Sequence, residues 1–455
     1  MKFTQRVDSA VLAILIALLM TVAMLWPTGS TMLSGALFCV LPYVIGRMVL
    51  HGTAFDNRTS RYVLMGGWFA VSLGSLINVW YYTTASGGTC VAPVFENYDS
   101  IRDWGIGTQL LAGEAVYGAY GYLVAGLRWL LGDNVLSVIG FNVLSYLVCA
   151  ILTGQITYEL TGKERTSRLA MLLTIMIAYL WAQATTVLKD TPVAMCMAIL
   201  TLIFVRSEMK RARVWEYVCG AIVLALMAVI RVNFLFMISA MAVVMGVHRR
   251  RFSPVMAAVV ALCAIYYLIV SQLLIIAPDP LQIAHTTGPV SDWVMADDHT
   301  RPWDDMLGGS YSMLPMYKRL LWLPASVVLQ FILPFPWNFE SAYLDGPAKV
   351  MARIGLVWYY CGALILWWLA VKWRTATAMT RRTVLCGLLL TVATAYSTSG
   401  RASRYCLSYL PMLLPIAAMA HECWRERTLQ RWLIVFGVLL MLGLIICYQL
   451  HKPWI

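Results

Sequence analysis

Apolar stretches about as long as a membrane span recur from one end of the chain to the other. An α-helix needs about 20 apolar residues to cross the ~30 Å hydrocarbon core of a bilayer. The pattern predicts an all-α fold, a polytopic transmembrane helical bundle in which short polar segments join the helices. The thirteen predicted spans are residues 9–26, 31–50, 62–81, 135–158, 167–187, 191–206, 215–230, 233–247, 254–277, 352–371, 383–398, 405–420 and 431–449.

The composition supports this prediction, because charged residues are too few to cover a water-facing surface. Of the 455 residues, 12% are charged and 60% are hydrophobic, and the mean hydropathy is +0.73. Soluble globular proteins contain roughly 25% charged residues. A soluble enzyme, a secreted disulfide scaffold and a disordered chain are therefore excluded.

The basic residues are distributed unevenly between the two sides of the predicted bundle. If the N-terminus is cytoplasmic, the inner segments contain 22 of the 34 basic residues and 8 of the 22 acidic residues. The inner side then carries a charge of +14 and the outer side −2, which together give the net charge of +12. This asymmetry follows the positive-inside rule, so the excess of basic residues indicates topology and not nucleic-acid binding.

The chain is predicted to form one integral membrane domain, residues 1–455, with two large extracytoplasmic segments. Residues 82–134 contain an acidic cluster followed by a stretch rich in Gly, Tyr and Trp, which is typical of helices lying at the membrane interface. Residues 278–351 contain several Asp residues and an apolar run at 320–337. We expect that run to be a re-entrant or interfacial helix, because a further span would turn Lys372–Arg382 outward.

Ionisable residues near the outer ends of spans are the candidates for function, because charge at membrane depth is costly. Within the first outer segment, Glu96, Asp99 and Asp103 would share one face of a helix. A carboxylate there could accept a proton from a hydroxyl group or help to hold a divalent cation. The alternative is the solvated acidic face of a loop helix.

A second candidate is Lys189-Asp190, in a very short outer turn followed by Pro192. Proline suits the first turn of a helix, and Asp190 or Thr191 could cap that helix. Capping would explain the aspartate without a further function. It would not explain the lysine, whose partner could be a phosphate or the aspartate itself.

Arginines form the remaining candidates. Arg231 follows one apolar run and precedes another, and Arg401 and Arg404 lie just outside a late span. The planar guanidinium group suits phosphate oxygens. The alternatives are snorkelling of Arg231 to lipid headgroups and anchoring of a helix end by Arg401 and Arg404. The outer carboxylates and these basic residues together suit a substrate with a membrane-bound tail and a phosphate.

Five segments of the chain resemble those of a known family in their order and in the side of the membrane to which they are assigned. The resemblance spans roughly residues 95–250 and 390–420. The segments are Tyr98-Asp99, Leu130–Asn134, Lys189-Asp190, Arg231–Asn233 and Ser403-Arg404-Tyr405 followed by Pro411. The chain resembles the glycosyltransferase-C superfamily, and within it the bacterial protein mannosyltransferases and aminoarabinose transferases. It departs from the family in having two additional spans before the acidic loop, and Tyr98-Asp99 in place of an acidic pair.

The resemblance implies a transferase that uses a polyprenyl-phosphate-linked sugar on the extracytoplasmic face. By this likeness Asp99 would be the catalytic base, with Asp103 or Glu96 assisting. Asp190 would supply a second carboxylate. A divalent cation, Mg²⁺ or Mn²⁺, could lie between Asp99 and Asp190.

The same resemblance implies how donor and acceptor would bind. The lipid phosphate would contact four basic residues, and the segment 278–351 would hold the acceptor, which could be a glycan, a lipid or a protein. The basic residues are Lys189, Arg231, Arg401 and Arg404, and the auxiliary residues are Glu96, Tyr98, Tyr405 and Glu340.

Two other functions remain open. An O-antigen-type polymerase or ligase would use pyrophosphate-linked oligosaccharides and would depend on outer arginines more than on an acidic base. A lipid-linked sugar transporter or flippase would usually show related halves and broken helices at the midplane. The compact loops favour a bacterial plasma membrane, with a cytoplasmic N-terminus and an extracytoplasmic active site.

Overall fold

A computed structural model of the chain describes most of the predicted spans. The described residues are 2–25, 32–85, 98–114, 119–231, 234–248, 251–276, 356–398 and 407–451, with isolated positions between 320 and 331.

The described residues fold almost entirely into α-helices. The first nine helices are α1 (Lys2–Leu25), α2 (Met32–His51), α3 (Arg58–Ala85), α4 (Tyr98–Leu111), α5 (Ala119–Leu131), α6 (Val135–Thr161), α7 (Glu164–Ile175), α8 (Ala178–Ala184) and α9 (Asp190–Glu208). Seven follow: α10 (Val214–Arg231), α11 (Phe234–Gly246), α12 (Pro254–Ile276), α13 (Leu356–Val371), α14 (Ala378–Thr398), α15 (Leu410–Glu422) and α16 (Arg427–His451). A 3-10 turn covers Trp373–Thr375. Strands β1 (Val247–His248) and β2 (Arg251–Phe252) form an antiparallel pair between α11 and α12.

Every predicted span overlaps a helix, which confirms the helical fold class. By length and composition, four described helices are suited to cross a membrane: Arg58–Tyr81, Val135–Thr161, Asp190–Glu208 and Val214–Arg231. A fifth span is obtained if α7 and α8 are taken together. These helices fit an integral membrane protein, and the total of thirteen spans stays a prediction.

Helix α6 lies at the centre of the bundle, packed against α2, α7, α9 and α15. Its 27 residues are mostly buried. The side chain of Asn134 caps its start by accepting a hydrogen bond of 2.8 Å from the amide of Leu136. Gly162 ends it with a φ of 68°, a left-handed conformation that glycine adopts without a steric penalty. Helix α6 therefore runs from one end of the bundle to the other.

The predicted span 167–187 is not one straight helix. Helices α7 and α8 meet at an angle of 59° across Met176 and Ile177. Helix α8 packs closely on α3, because a Cβ atom at Gly74 would lie 2.1 Å from the ring of Trp181. Neither glycine nor proline marks this break, so the sequence did not predict it.

Candidate functional site

Two of the predicted site residues form a buried ion pair between α4 and the start of α9. The Nζ atom of Lys189 lies 3.6 Å from Oδ2 of Asp103. The lysine side chain is 13% exposed and the aspartate side chain 4%. A charge in such surroundings needs an opposite charge, because desolvation is otherwise very costly. The lysine that capping could not explain therefore has a carboxylate partner on another helix.

A second buried ion pair lies beside the first in the sequence. The NH2 atom of Arg231, the last residue of α10, lies 2.7 Å from Oδ1 of Asp190, the first residue of α9. The arginine side chain is 12% exposed, so it turns into the bundle and does not extend to lipid headgroups. The other carboxylate oxygen of Asp190 is buried and accepts no hydrogen bond from the part of the chain that the structure describes.

The start of α9 differs from the capping expectation. Lys189 occupies the N-cap position, and no side chain caps the helix. Asp190 is the first helical residue and Pro192 lies in the first turn, as predicted. A carboxylate at a helix N-terminus is favoured by the helix dipole. Asp190 therefore contributes charge here, while its side-chain hydrogen bond goes to Arg231.

Asparagine side chains that the sequence analysis did not single out hold the turn before Lys189. The Nδ2 atom of Asn142, in α6, donates to the carbonyl oxygens of Thr186 (2.6 Å) and Leu188 (2.9 Å). Asn78, in α3, donates to Oγ1 of Thr185 at 2.7 Å. Both asparagines are fully buried. Asn142 thereby fixes the backbone that positions Lys189 and Asp190, while Asn78 holds a side chain of the same turn. The signal in the sequence was an amide side chain inside a long apolar run.

Tyr120, in α5, lies close to both carboxylates. Its side chain is 1% exposed, and its hydroxyl donates a long hydrogen bond of 3.5 Å to Oδ1 of Asn142. Burial raises the pKa of Tyr120, and the negative charges of Asp103 and Asp190 raise it further. The hydroxyl therefore stays protonated and can act as a hydrogen-bond donor in the site.

Arg128 fixes α4 against α5 next to Asp103. Its guanidinium lies 4.0 Å from the ring centroid of Trp104 and donates to Oγ1 of Thr108 at 2.8 Å. It also forms an ion pair of 2.6 Å with Asp133. Stacking and hydrogen bonding by one guanidinium hold the two helices in register. The carboxylate of Asp103, adjacent to Trp104, is thereby held towards Lys189.

The structure thus brings Asp103, Lys189, Asp190 and Arg231 to one end of the bundle. Tyr98 and Asp99 begin α4, which places Asp99 one turn before Asp103 on the same helix face. Glu96, Glu340, Arg401, Arg404 and Tyr405 lie outside the described residues. Within the described ranges, no group of three or more His, Cys, Asp or Glu side chains is arranged to hold a metal ion.

The remaining described ion pairs all join residues that the charge distribution assigns to the cytoplasmic side. None of those that the structure describes connects an inner residue with an outer one. They are Arg47–Asp56, His51–Asp56, Arg61–Asp56, Lys163–Glu422, Arg206–Glu159, Arg206–Glu216, Arg211–Glu159, Lys372–Glu426 and Arg382–Glu208.

No protein-family model matches the chain, and no curated protein sequence matches it.

Proposed function

We propose that the chain is a membrane glycosyltransferase that moves a sugar from a polyprenyl-phosphate-linked donor to a glycan, lipid or protein acceptor. The reaction takes place at the extracytoplasmic face of a bacterial plasma membrane. The observation that carries the proposal is the convergence of Asp103, Lys189, Asp190 and Arg231 from three helices into one buried cluster. Charges buried inside a helical membrane bundle are expensive and point to a function.

The two cations suit the phosphate of the donor lipid. In the structure each cation is neutralised by a carboxylate, so an arriving phosphate would displace a carboxylate from its cation, and the displaced carboxylate, now a buried charge without a partner, would readily accept a proton. The guanidinium of Arg231 can hold two phosphate oxygens at once, and Lys189 supplies a point charge beside it. Binding of the donor would then free the carboxylates for chemistry.

The transfer step needs a base and a good leaving group. The oxygen of the acceptor hydroxyl attacks the anomeric carbon of the donor, and the bond from that carbon to the phosphate oxygen breaks. The hydroxyl proton passes to a carboxylate, and the electron pair of the broken bond leaves with polyprenyl phosphate. Asp99 is the first candidate for the base and Asp103 the assisting group, while Asp190 has a free oxygen that could accept a hydroxyl or a divalent cation. Lys189 and Arg231 stabilise the charge on the departing phosphate.

The test is release of polyprenyl phosphate from a panel of polyprenyl-phosphate-linked sugars by the purified protein in nanodiscs. General-base catalysis contributes about 10²–10⁴-fold, so Asp99→Asn should lower the rate by at least about 100-fold without loss of expression or insertion. Asp56→Asn, at the opposite end of the bundle, is the matched control and should keep the wild-type rate. Full activity of Asp99→Asn would refute the assignment of the base.

Asp103→Asn leaves Lys189 without its partner, so it is compared with the double variant Asp103→Asn/Lys189→Met. We expect the double variant to fold and to remain inactive. Turnover of pyrophosphate-linked oligosaccharides alone would instead favour a polymerase or ligase. Movement of a sugar lipid across vesicle membranes without bond formation would favour a transporter.

A further inference from the structure

A cavity of about 780 Å³ lies between the start of α7 and the end of α15. Lys163, Arg165 and Arg425 contribute positive charge to its lining, against one carboxylate from Glu422. The cavity is at the cytoplasmic end of the bundle as the charge distribution orients it. Basic residues at such ends usually serve topology alone. Here they line a concave space, which is the usual shape of a ligand site.

Both arginines are available to a ligand. Among the described residues, neither Arg165 nor Arg425 makes a hydrogen bond or an ion pair within 4 Å. Lys163, in contrast, pairs with Glu422 at 2.9 Å. The charge of Glu422 therefore neutralises one cation and leaves two in excess.

The same place already accommodates an anionic group of the chain itself. The carboxylate of Glu422 accepts hydrogen bonds from Lys163 and from Oγ1 of Thr166, in the first turn of α7. Burial alone would raise the pKa of Glu422, but the bonds from Thr166 and Lys163 outweigh burial and lower it. No side chain caps the start of this 12-residue helix. Its first amides thus add to a positive environment that favours anions.

An aromatic wall and a histidine complete the cavity. The rings of His421 and Trp424 lie 5.7 Å apart, and the hydroxyl of Tyr360 lies 2.5 Å from Nδ1 of His421. Burial, and then the charge of Arg165, lower the pKa of His421, which keeps the ring neutral near pH 7. When Tyr360 donates to Nδ1, the proton of the neutral ring is on Nε2, which can donate to an oxygen ligand.

We propose that this cavity binds a phosphate group at the cytoplasmic face, held by Arg165 and Arg425 with help from His421. The site is separate from the buried cluster at the other end. Asn142 and Gly162 are both on or beside α6, and the 20 residues from one to the other correspond to about 30 Å at 1.5 Å per residue. The phosphate could belong to an anionic lipid of the inner leaflet or to a soluble molecule.

Native mass spectrometry of the full chain tests the proposal with two probes. One is phosphatidylglycerol in nanodiscs otherwise made of phosphatidylcholine, and the other is inorganic phosphate. The variant is Arg165→Gln/Arg425→Gln, and the matched control is Arg374→Gln/Arg431→Gln, which removes the same charge from exposed residues outside the cavity. Among the described residues, none of these four arginines makes a hydrogen bond or an ion pair, so all variants should fold.

We expect the cavity variant to bind at least one probe at least about tenfold more weakly than the wild type, because each arginine makes charge-assisted bonds to phosphate. The control should bind as the wild type does. Loss of lipid binding alone identifies an inner-leaflet lipid as the source, and loss of inorganic phosphate binding identifies a soluble ligand. Equal binding by the cavity variant and the control, or binding of neither probe to the wild type, would overturn the proposal.

Discussion

The two ends of the bundle carry the same kinds of ion pair but bury the basic partner to different depths. At the end that the charge distribution assigns to the outside, called the outer end, Lys189 is 13% exposed, Arg231 12% and Arg128 4%. At the inner end every basic partner among the described pairs is 22% exposed or more, and Lys163 reaches 63%. The acidic partners do not divide in this way, because Asp103 is 4% and Asp133 68% exposed at one end, while Glu208 is 4% and Glu426 41% exposed at the other. The basic side chains therefore make the difference.

The difference in exposure distinguishes basic residues that only orient the helices from basic residues that need a functional explanation. A long basic side chain that reaches water keeps its hydration and can anchor a helix end at little cost. A basic side chain withdrawn from water is tolerated only with a partner, and such pairs add little net stability. The outer pairs therefore need another explanation, and the proposed binding of a donor phosphate would supply one.

The largest expected effect is on stability when one partner of an outer pair is removed. Arg231→Met leaves Asp190 buried without its cation, which should cost about 3–5 kcal/mol in the free energy of unfolding. The double variant Arg231→Met/Asp190→Asn should recover most of this loss. Unfolding in mixed micelles measures both. A double variant as unstable as the sum of its single variants would show that the pair is not coupled.

The next effect concerns the turn before Lys189. Asn142→Ala leaves the buried carbonyls of Thr186 and Leu188 without donors and should cost about 2 kcal/mol. It should also weaken binding of polyprenyl phosphate, because the turn positions Lys189. Asn78→Ala, which removes a bond to a side chain of the same turn, is the matched control. Equal losses of binding in both variants would argue against a positioning role for Asn142.

A smaller effect is expected at the inner end, where Asp56 is held by basic residues. Burial alone would raise the pKa of Asp56, but hydrogen bonds from Arg61 and His51 and the charge of Arg47 outweigh burial and lower the pKa to about 2. Because this is below the unfolded value of about 3.9, the contribution is complete above about pH 4 and is lost as the pH falls towards 2.

Asp56→Asn should therefore reduce the free energy of unfolding by about 1 kcal/mol at pH 6, after allowance for solvent screening. The difference between this variant and the wild type should shrink as the pH falls from about 4. Unfolding measured at several pH values checks the trend. A difference that grows towards low pH would contradict the ion-pair assignment.

The smallest effect is expected for Lys372→Met. Lys372 pairs with Glu426 at 2.7 Å, and the two side chains are 31% and 41% exposed. Exposed pairs of this kind contribute about 0–1 kcal/mol. Unfolding of this variant beside Arg231→Met tests the contrast between the ends directly. A loss as large as that of Arg231→Met would remove the distinction drawn from burial.

The sequence predicted that Lys189, Asp190 and Arg231 lie at the same end of the bundle, because the charge asymmetry assigns the same side to their loops. It could not predict their pairing. Lys189 and Asp190 are neighbours in the sequence, yet Lys189 pairs with Asp103 and Asp190 with Arg231. This exchange depends on how α4, α9 and α10 approach each other, which is a property of tertiary packing.

Buried polar residues and breaks in helices were harder to predict. The amide side chain of Asn142 lies within an apolar run but does not change its hydrophobic pattern, which still predicts a span there. The bend between α7 and α8 occurs in an apolar stretch and is marked by tertiary contacts such as Trp181 against Gly74. The helices themselves were predictable, because their length and composition follow from the bilayer.

Binding of a donor phosphate by the buried cluster of Asp103, Lys189, Asp190 and Arg231 is tested most directly by the affinity of the protein for polyprenyl monophosphate. The variants are Asp103→Asn/Lys189→Met at the outer end and Lys372→Met/Glu426→Gln at the inner end, each removing one complete ion pair. We predict that the outer variant binds at least about tenfold more weakly, equivalent to about 1.4 kcal/mol, and that the inner variant binds as the wild type does. Unchanged affinity in the outer variant, or an equal loss in both, would contradict phosphate binding by this cluster.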